Sequence, residues 1–219
     1  MTIAAAAAVA TMTITSTPAG GAETAFVDNL VWIPGQGGDC SAGGPLIIQT
    51  LDSGQCKTDN ASVSVYRDAV DPYKLESDDR EVTEAAMRGE CSPTDLAISI
   101  VSTYVGSGTS ETDIVFQEGQ VGNGPGGTIG YTWCNDANNL SSYECDQMFV
   151  RLEAAYLDYA LTCHEAGHAI GLAHGDDSES GTPGNSDPFW GCMRTPWNSL
   201  HMDLGENQRN NINKEWNQP

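Results

Sequence analysis

Eleven consecutive residues restrict the possible fold more than any other stretch: His164-Glu165-Ala166-Gly167-His168-Ala169-Ile170-Gly171-Leu172-Ala173-His174. The chain has four histidines, and three of them stand at the first, fifth and eleventh places of this window. Residues four apart on a helix project from one face a turn apart, so His164 and His168 can present two imidazole nitrogens to one ion. For His174 to reach the same ion the helix must stop and the chain must turn sharply. Gly171, three residues after the second histidine, tolerates the left-handed conformation that such a stop commonly needs. Three neutral nitrogen ligands leave a fourth position for water, the composition of a catalytic zinc site rather than a closed structural one. Glu165 follows the first ligand directly, which turns it away from ligation and leaves its carboxylate beside the metal as the natural general base.

The window resembles the zinc signature of the metzincin peptidases, in which the same pattern is followed by a methionine turn. Gly191-Cys192-Met193-Arg194 is the candidate for that turn, and Met193, nineteen residues after His174, is the candidate apolar floor of the metal site, with Met202 a weaker second. Two places beyond Met193 stands Thr195 rather than tyrosine. The resemblance is therefore closest to the matrixin-like branch. It implies an α+β, zincin/metzincin-like catalytic domain over residues 62–219, with a mixed twisted sheet, an active-site helix, a Met-turn and a C-terminal helix. It also implies a secreted zinc metalloendopeptidase that holds one catalytic Zn2+, with His164, His168 and His174 as ligands and Glu165 as base, acting on a protein or peptide substrate. Calcium sites are common in the family, and the carboxylate excess could supply them, although no compact calcium-loop pattern is visible. Cys163 precedes the first ligand and Cys192 precedes Met193, two places that such a fold brings together, so these two are expected to pair.

Charge narrows the partners. The formal net charge is −21 with nine Lys plus Arg, a surface that repels nucleic acid and anionic membranes. At 219 residues there is room for one domain with a proper core, and a monomer is expected. Residues 1–22 are rich in Ala and Thr with an apolar run from Ile3 to Ala10, and they read as a secretory signal or as a disordered tail, since no Lys or Arg precedes the run. The run is too short to span a bilayer. Residues 23–61 read as a loop-rich N-terminal arm, with short apolar pieces at 30–33 and 46–48.

Seven cysteines without a CxxC pattern read as disulfides with one left over. Cys134 and Cys145 flank a polar loop and form a second candidate pair; Cys40 with Cys56 is the local choice among the remaining three. Alternation places strands at 62–67, 96–104, 113–116 and 149–152. A short amphipathic helix is expected over 77–90, with Val82, Ala85, Ala86 and Met87 as its apolar set. The metal-bearing helix is expected over 157–173, buried through Ala160, Leu161, Ala169 and Leu172, and a last helix over 204–216. The glycine-rich stretch 117–131 leads into 127–133, which is either an ordinary strand after a long loop or the edge strand along which a matrixin-like enzyme pairs an extended substrate. His201, outside the window, reads as a surface residue. Two further function classes stay open: a catalytically silent zinc-binding secreted module, against which Glu165 argues, and a disulfide-rich interaction domain in which the histidines are incidental.

Overall fold

The computed structural model describes residues 26–30, 56–121, 128–137, 143–178 and 183–217. The expected signal stretch 1–22, the apolar pieces at 31–33 and 46–48, and Cys40 lie outside the described residues. The described chain is mixed α/β. In order it forms β1 (Lys57–Thr58), β2 (Ser64–Arg67), α1 (Ser77–Ala86), β3 (Ser99–Val101), β4 (Ile114–Glu118), β5 (Gly130–Ala137), β6 (Glu144–Leu152), α2 (Tyr159–Ile170) and α3 (Glu206–Trp216).

Six strands make one sheet. β3, β2, β4 and β6 run parallel side by side, β1 pairs parallel with the start of β6, and β5 pairs antiparallel with β6. Parallel neighbours need crossover connections, and α1 lies on the path from β2 to β3. Cross-strand register aligns Thr132 with Val150 and Val150 with Phe116, and sets Gly130 opposite Leu152. Side chains alternate along a strand, so Gly130, Thr132 and Cys134 share a face with Met148, Val150, Leu152, Ile114 and Phe116. That face meets α2, and Leu161, Ala166, Ala169 and Ile170 complete the core there. The opposite face carries an aromatic row, Tyr66, Tyr104, Phe149, Trp133 and Tyr131, with Arg151 held between the Trp133 and Tyr73 rings.

Several elements differ in extent from the sequence expectation, each for a local reason. α2 begins at Tyr159 rather than 157 because Asp158 caps it, its carboxylate accepting from Leu161 N at 2.8 Å. α1 ends at Ala86, and a π-helical turn, Met87–Cys91, continues from it. The buried side of the two together is Thr83, Ala86, Met87, Glu90 and Cys91, with Ala85 exposed. Thr83 is accommodated because its hydroxyl donates to Asp79 O at 2.8 Å. β6 starts five residues earlier than 149, since pairing with β5 continues to Ala137↔Cys145 and the Cys134–Cys145 disulfide joins the two strands. β5 starts at Gly130 and runs to Ala137, and α3 starts at Glu206 after Gly205. Lys57 ties β1 to α3, pairing with Glu144 at 3.3 Å and with Glu215, and lying over the Trp216 ring. Among the described residues no helix is long and apolar enough to cross a membrane.

Candidate metal centre

The sequence of α2 decides where the histidines go. Gly171 sits at φ 114°, and its N–H donates to Gly167 O and His168 O while Leu172 N–H donates to Gly167 O, so the helix closes in a glycine-centred stop. The chain then reverses, and His174 returns to the α2 face that carries His164 and His168. The three Nε2 atoms stand 3.2, 3.0 and 3.2 Å from one another. Ligands about 2.0–2.1 Å from a tetrahedral ion lie about 3.3 Å apart, so this triangle is close to the size that one ion requires.

The other ring nitrogens have partners of their own. Nδ1–H of His164 donates to Cys192 O at 2.6 Å, and Nδ1–H of His168 donates to Leu172 O at 2.8 Å. His174 Nδ1 faces the Asp177 carboxylate at 3.8 Å. With Nδ1 protonated, each neutral ring turns a bare Nε2 lone pair toward the common centre. Burial lowers the pKa of all three, His168 also through both neighbours and His174, to about 3, also through His164. Three lone pairs this close repel unless a cation lies between them, and the donor set therefore fits a divalent metal. Among the described residues this triad is the one group of His, Cys, Asp and Glu side chains spaced to hold an ion.

Glu165 is 5% exposed, and its carboxyl group meets β5. Thr132 Oγ1 donates to Glu165 Oε2 at 2.7 Å and also lies 3.1 Å from the Glu165 carbonyl. A Cβ on Gly130 would overlap the same carboxyl group. The strand thus leaves a notch at 130 and a hydroxyl at 132, both opening on one side chain of α2. Burial raises the Glu165 pKa to about 7, with the Thr132 hydroxyl opposing. Neither Thr132 nor Gly130 was legible as a site residue, because their only sequence signal is an i, i+2 spacing in a strand.

Met193 is fully buried and packs against α2 at Gly167, where a Cβ would run into its sulfur. Met202, by contrast, is half exposed. Gly191 holds φ 53°, and a Cβ there would strike Asp203 O and Gly205 N, so the turn before Met193 needs glycine. The Cys163–Cys192 disulfide ties α2 to that turn one residue from the first histidine and one from Met193. Cys56 is disulfide-bonded as well, and its expected partner, Cys40, lies outside the described residues. The odd cysteine is Cys91, buried and free, with its thiol pushed up to about 12 by burial and by Glu90. His201 is half-buried rather than a bare surface residue, its Nε2 set against the Arg194 guanidinium.

No protein-family model matches the chain, and no curated protein is significantly similar to it.

Proposed function

We propose that the chain is a zinc-dependent endopeptidase of the metzincin type, closest to the matrixin-like branch, with a zincin-like fold. One observation carries the reading: three imidazoles, His164 buried and His168 and His174 half-buried, converge on one point with the Nδ1 atoms of His164 and His168 hydrogen-bonded to backbone carbonyls, and a buried carboxylate follows the first of them on the same helix. Nitrogen ligands on a helix and a glycine-stopped return suit zinc. Zinc bound there would supply an acidified water and a polarised substrate carbonyl. Glu165 is then the group that takes the proton from the attacking water and passes it to the leaving amine. Thr132 fixes the direction of one carboxylate oxygen and leaves the other for that work.

Substrate placement follows from the sheet. β5 pairs with β6 along one edge, and its other edge carries no strand among the described residues. An extended peptide can add there as a further strand, next to the residues that hold Glu165. Two disulfides among the described residues are in keeping with secretion.

The test is chelator-reversible cleavage of an unstructured protein substrate by the wild type and by Glu165→Ala, with zinc assayed in both. About one zinc in each protein, with turnover lost by at least about 100-fold in the variant, supports Glu165 as the base. Zinc in both and cleavage by neither would instead favour a silent zinc-binding module, and zinc in neither would remove the triad from consideration.

A further inference from the structure

Asn29 is fully buried, far in sequence from every residue of the site. A buried amide is costly unless its hydrogen-bonding groups are matched, and Asn29 matches them against the metal centre. Its backbone carbonyl accepts from Ala173 N at 2.7 Å, its Nδ2 donates to Ala173 O at 3.0 Å, and its Oδ1 accepts from Asn207 Nδ2 at 3.4 Å. Leu30 forms an antiparallel bridge with Leu172. Residues 29 and 30 thus make a two-residue ladder with 172 and 173, the stretch between the glycine stop and the third histidine.

That stretch belongs to no helix or sheet strand of its own. Ala173 is 1% exposed, so without the ladder both of its peptide groups would be buried and bare. Leu172 O is also the acceptor for His168 Nδ1. The ladder therefore bears on two ligands: it fixes where the chain delivers His174, and it fixes the carbonyl that orients His168. The arm is in turn held by two asparagines of α3. Asn207 exchanges two bonds with Val27, Oδ1 accepting from Val27 N at 2.9 Å and Nδ2 donating to Val27 O at 3.0 Å. Asn211 Nδ2 donates to the same carbonyl at 2.9 Å, and Asn211 Oδ1 accepts from Asn29 N at 3.3 Å. Lys214 and Asp28 add an ion pair at 2.9 Å, with Lys214 largely exposed.

We propose that Asn29 is a positioning residue of the metal centre, and that the ladder it forms with Ala173 makes metal affinity depend on the N-terminal arm. The proposal rests on the triad being a metal site and is independent of whether the protein cuts peptides. Residues that orient metal ligands without touching the metal typically contribute 10- to 100-fold in affinity.

The test is the dissociation constant for Zn2+, measured on the full chain by competition with a chromogenic chelator. Wild type is compared with Asn29→Asp, which replaces the amide donor by an acceptor facing Ala173 O, with Asn29→Ala, and with Lys214→Ala, a control that removes one exposed ion pair and leaves the ladder and the Asn207 and Asn211 contacts to residues 27–29 in place. Folding of each is checked by near-ultraviolet circular dichroism, and ligand geometry by the visible spectrum of the Co2+ form. The expected result is zinc binding weakened about 10- to 100-fold in both Asn29 variants, with an altered Co2+ spectrum and Lys214→Ala unchanged. Should Asn29→Asp fail to fold, Asn29→Ala, which keeps the backbone half of the ladder, decides. A folded Asn29 variant with wild-type zinc affinity and Co2+ spectrum overturns the proposal, whatever its melting temperature. A wild type that binds neither Zn2+ nor Co2+ overturns the metal centre itself, and this is seen before any variant is compared.

Discussion

Thr132 is the residue whose role can be separated most cleanly. Its hydroxyl reaches the Glu165 carboxylate at 2.7 Å, and a hydrogen bond to a charged group contributes about 1.5–3 kcal/mol. If Glu165 is the base, removing that bond lets its carboxylate swing while leaving the histidines and the substrate edge in place. Thr132→Val, nearly isosteric, is expected to lower kcat by about 10- to 100-fold with zinc content unchanged and KM little altered. Thr132→Ser should recover most of the rate, because it restores the donor. Equal rates for the valine and serine variants would show that the side chain matters only for packing. The metal ligands could be read directly from the sequence because a helix repeats every few residues, so His164, Glu165 and His168 carry their geometry in their spacing. Thr132 and Asn29 could not, since each reaches the site through tertiary structure, one from an adjoining strand and the other from more than a hundred residues away in sequence.

At the level of elements, the site depends on α2 meeting the turn at 191–193. Cys192 does two things there: its sulfur is bonded to Cys163, and its carbonyl receives the His164 Nδ1–H. The Cys134–Cys145 disulfide joins β5 to β6, and neither of its cysteines adjoins a histidine or a carbonyl that orients one. Loops of 29 and 11 residues give similar chain-entropy stabilisation, about 3.5 and about 3 kcal/mol. Replacing either pair by alanine is therefore expected to lower the unfolding free energy by a comparable amount, read from denaturant titration. Only the Cys163→Ala/Cys192→Ala protein should also bind zinc more weakly, because only there does the backbone carbonyl that orients a ligand lose the covalent tie that holds it against α2. Equal zinc affinities would detach the disulfide from the metal site. The same region marks how far the elements were legible. α2 and its glycine stop followed from histidine spacing, and β2 followed from the alternation of Val63 and Val65. Of the inward set expected over 77–90, Ala86 and Met87 are buried, but Thr83 of α1 and Glu90 of the π turn did not follow, because they are buried as polar residues with specific partners: Asp79 O for the first; for the second Tyr159 OH at 2.9 Å, Leu204 N at 2.7 Å and Arg209 Nη2 at 2.8 Å. A hydropathy pattern assigns such residues to solvent.

For the whole molecule, a net charge of −21 sets some carboxylates beside others of the same sign, as around Glu111 and Asp59. Burial pushes Glu111 up first, and Asp136, Asp146, Asp59 and Asp113 push it further. Asp59 is raised likewise by burial and then, against an opposing hydrogen bond from Asn60, by Asp113 and Asp146. A carboxylic acid whose folded pKa is raised binds more protons in the folded state than in the unfolded state between the two values. Stability contributed by such a group therefore falls as pH rises from the ordinary carboxylate range through the raised value, and the penalty is fully present above it. Glutamine mimics the protonated acid, so Glu111→Gln is expected to melt higher than wild type at pH 7, by about 2 °C for a chain of this size. Because both proteins share the histidine triad, its titration cancels from the difference. The gain should shrink as pH is lowered through the folded pKa of Glu111 and vanish below the unfolded one. It should also shrink in 0.5 M NaCl, which screens the neighbouring carboxylates. A gain that does not depend on pH would assign the effect to packing at residue 111, and a loss at pH 7 would mean that Glu111 has a stabilising partner outweighing its acidic neighbours.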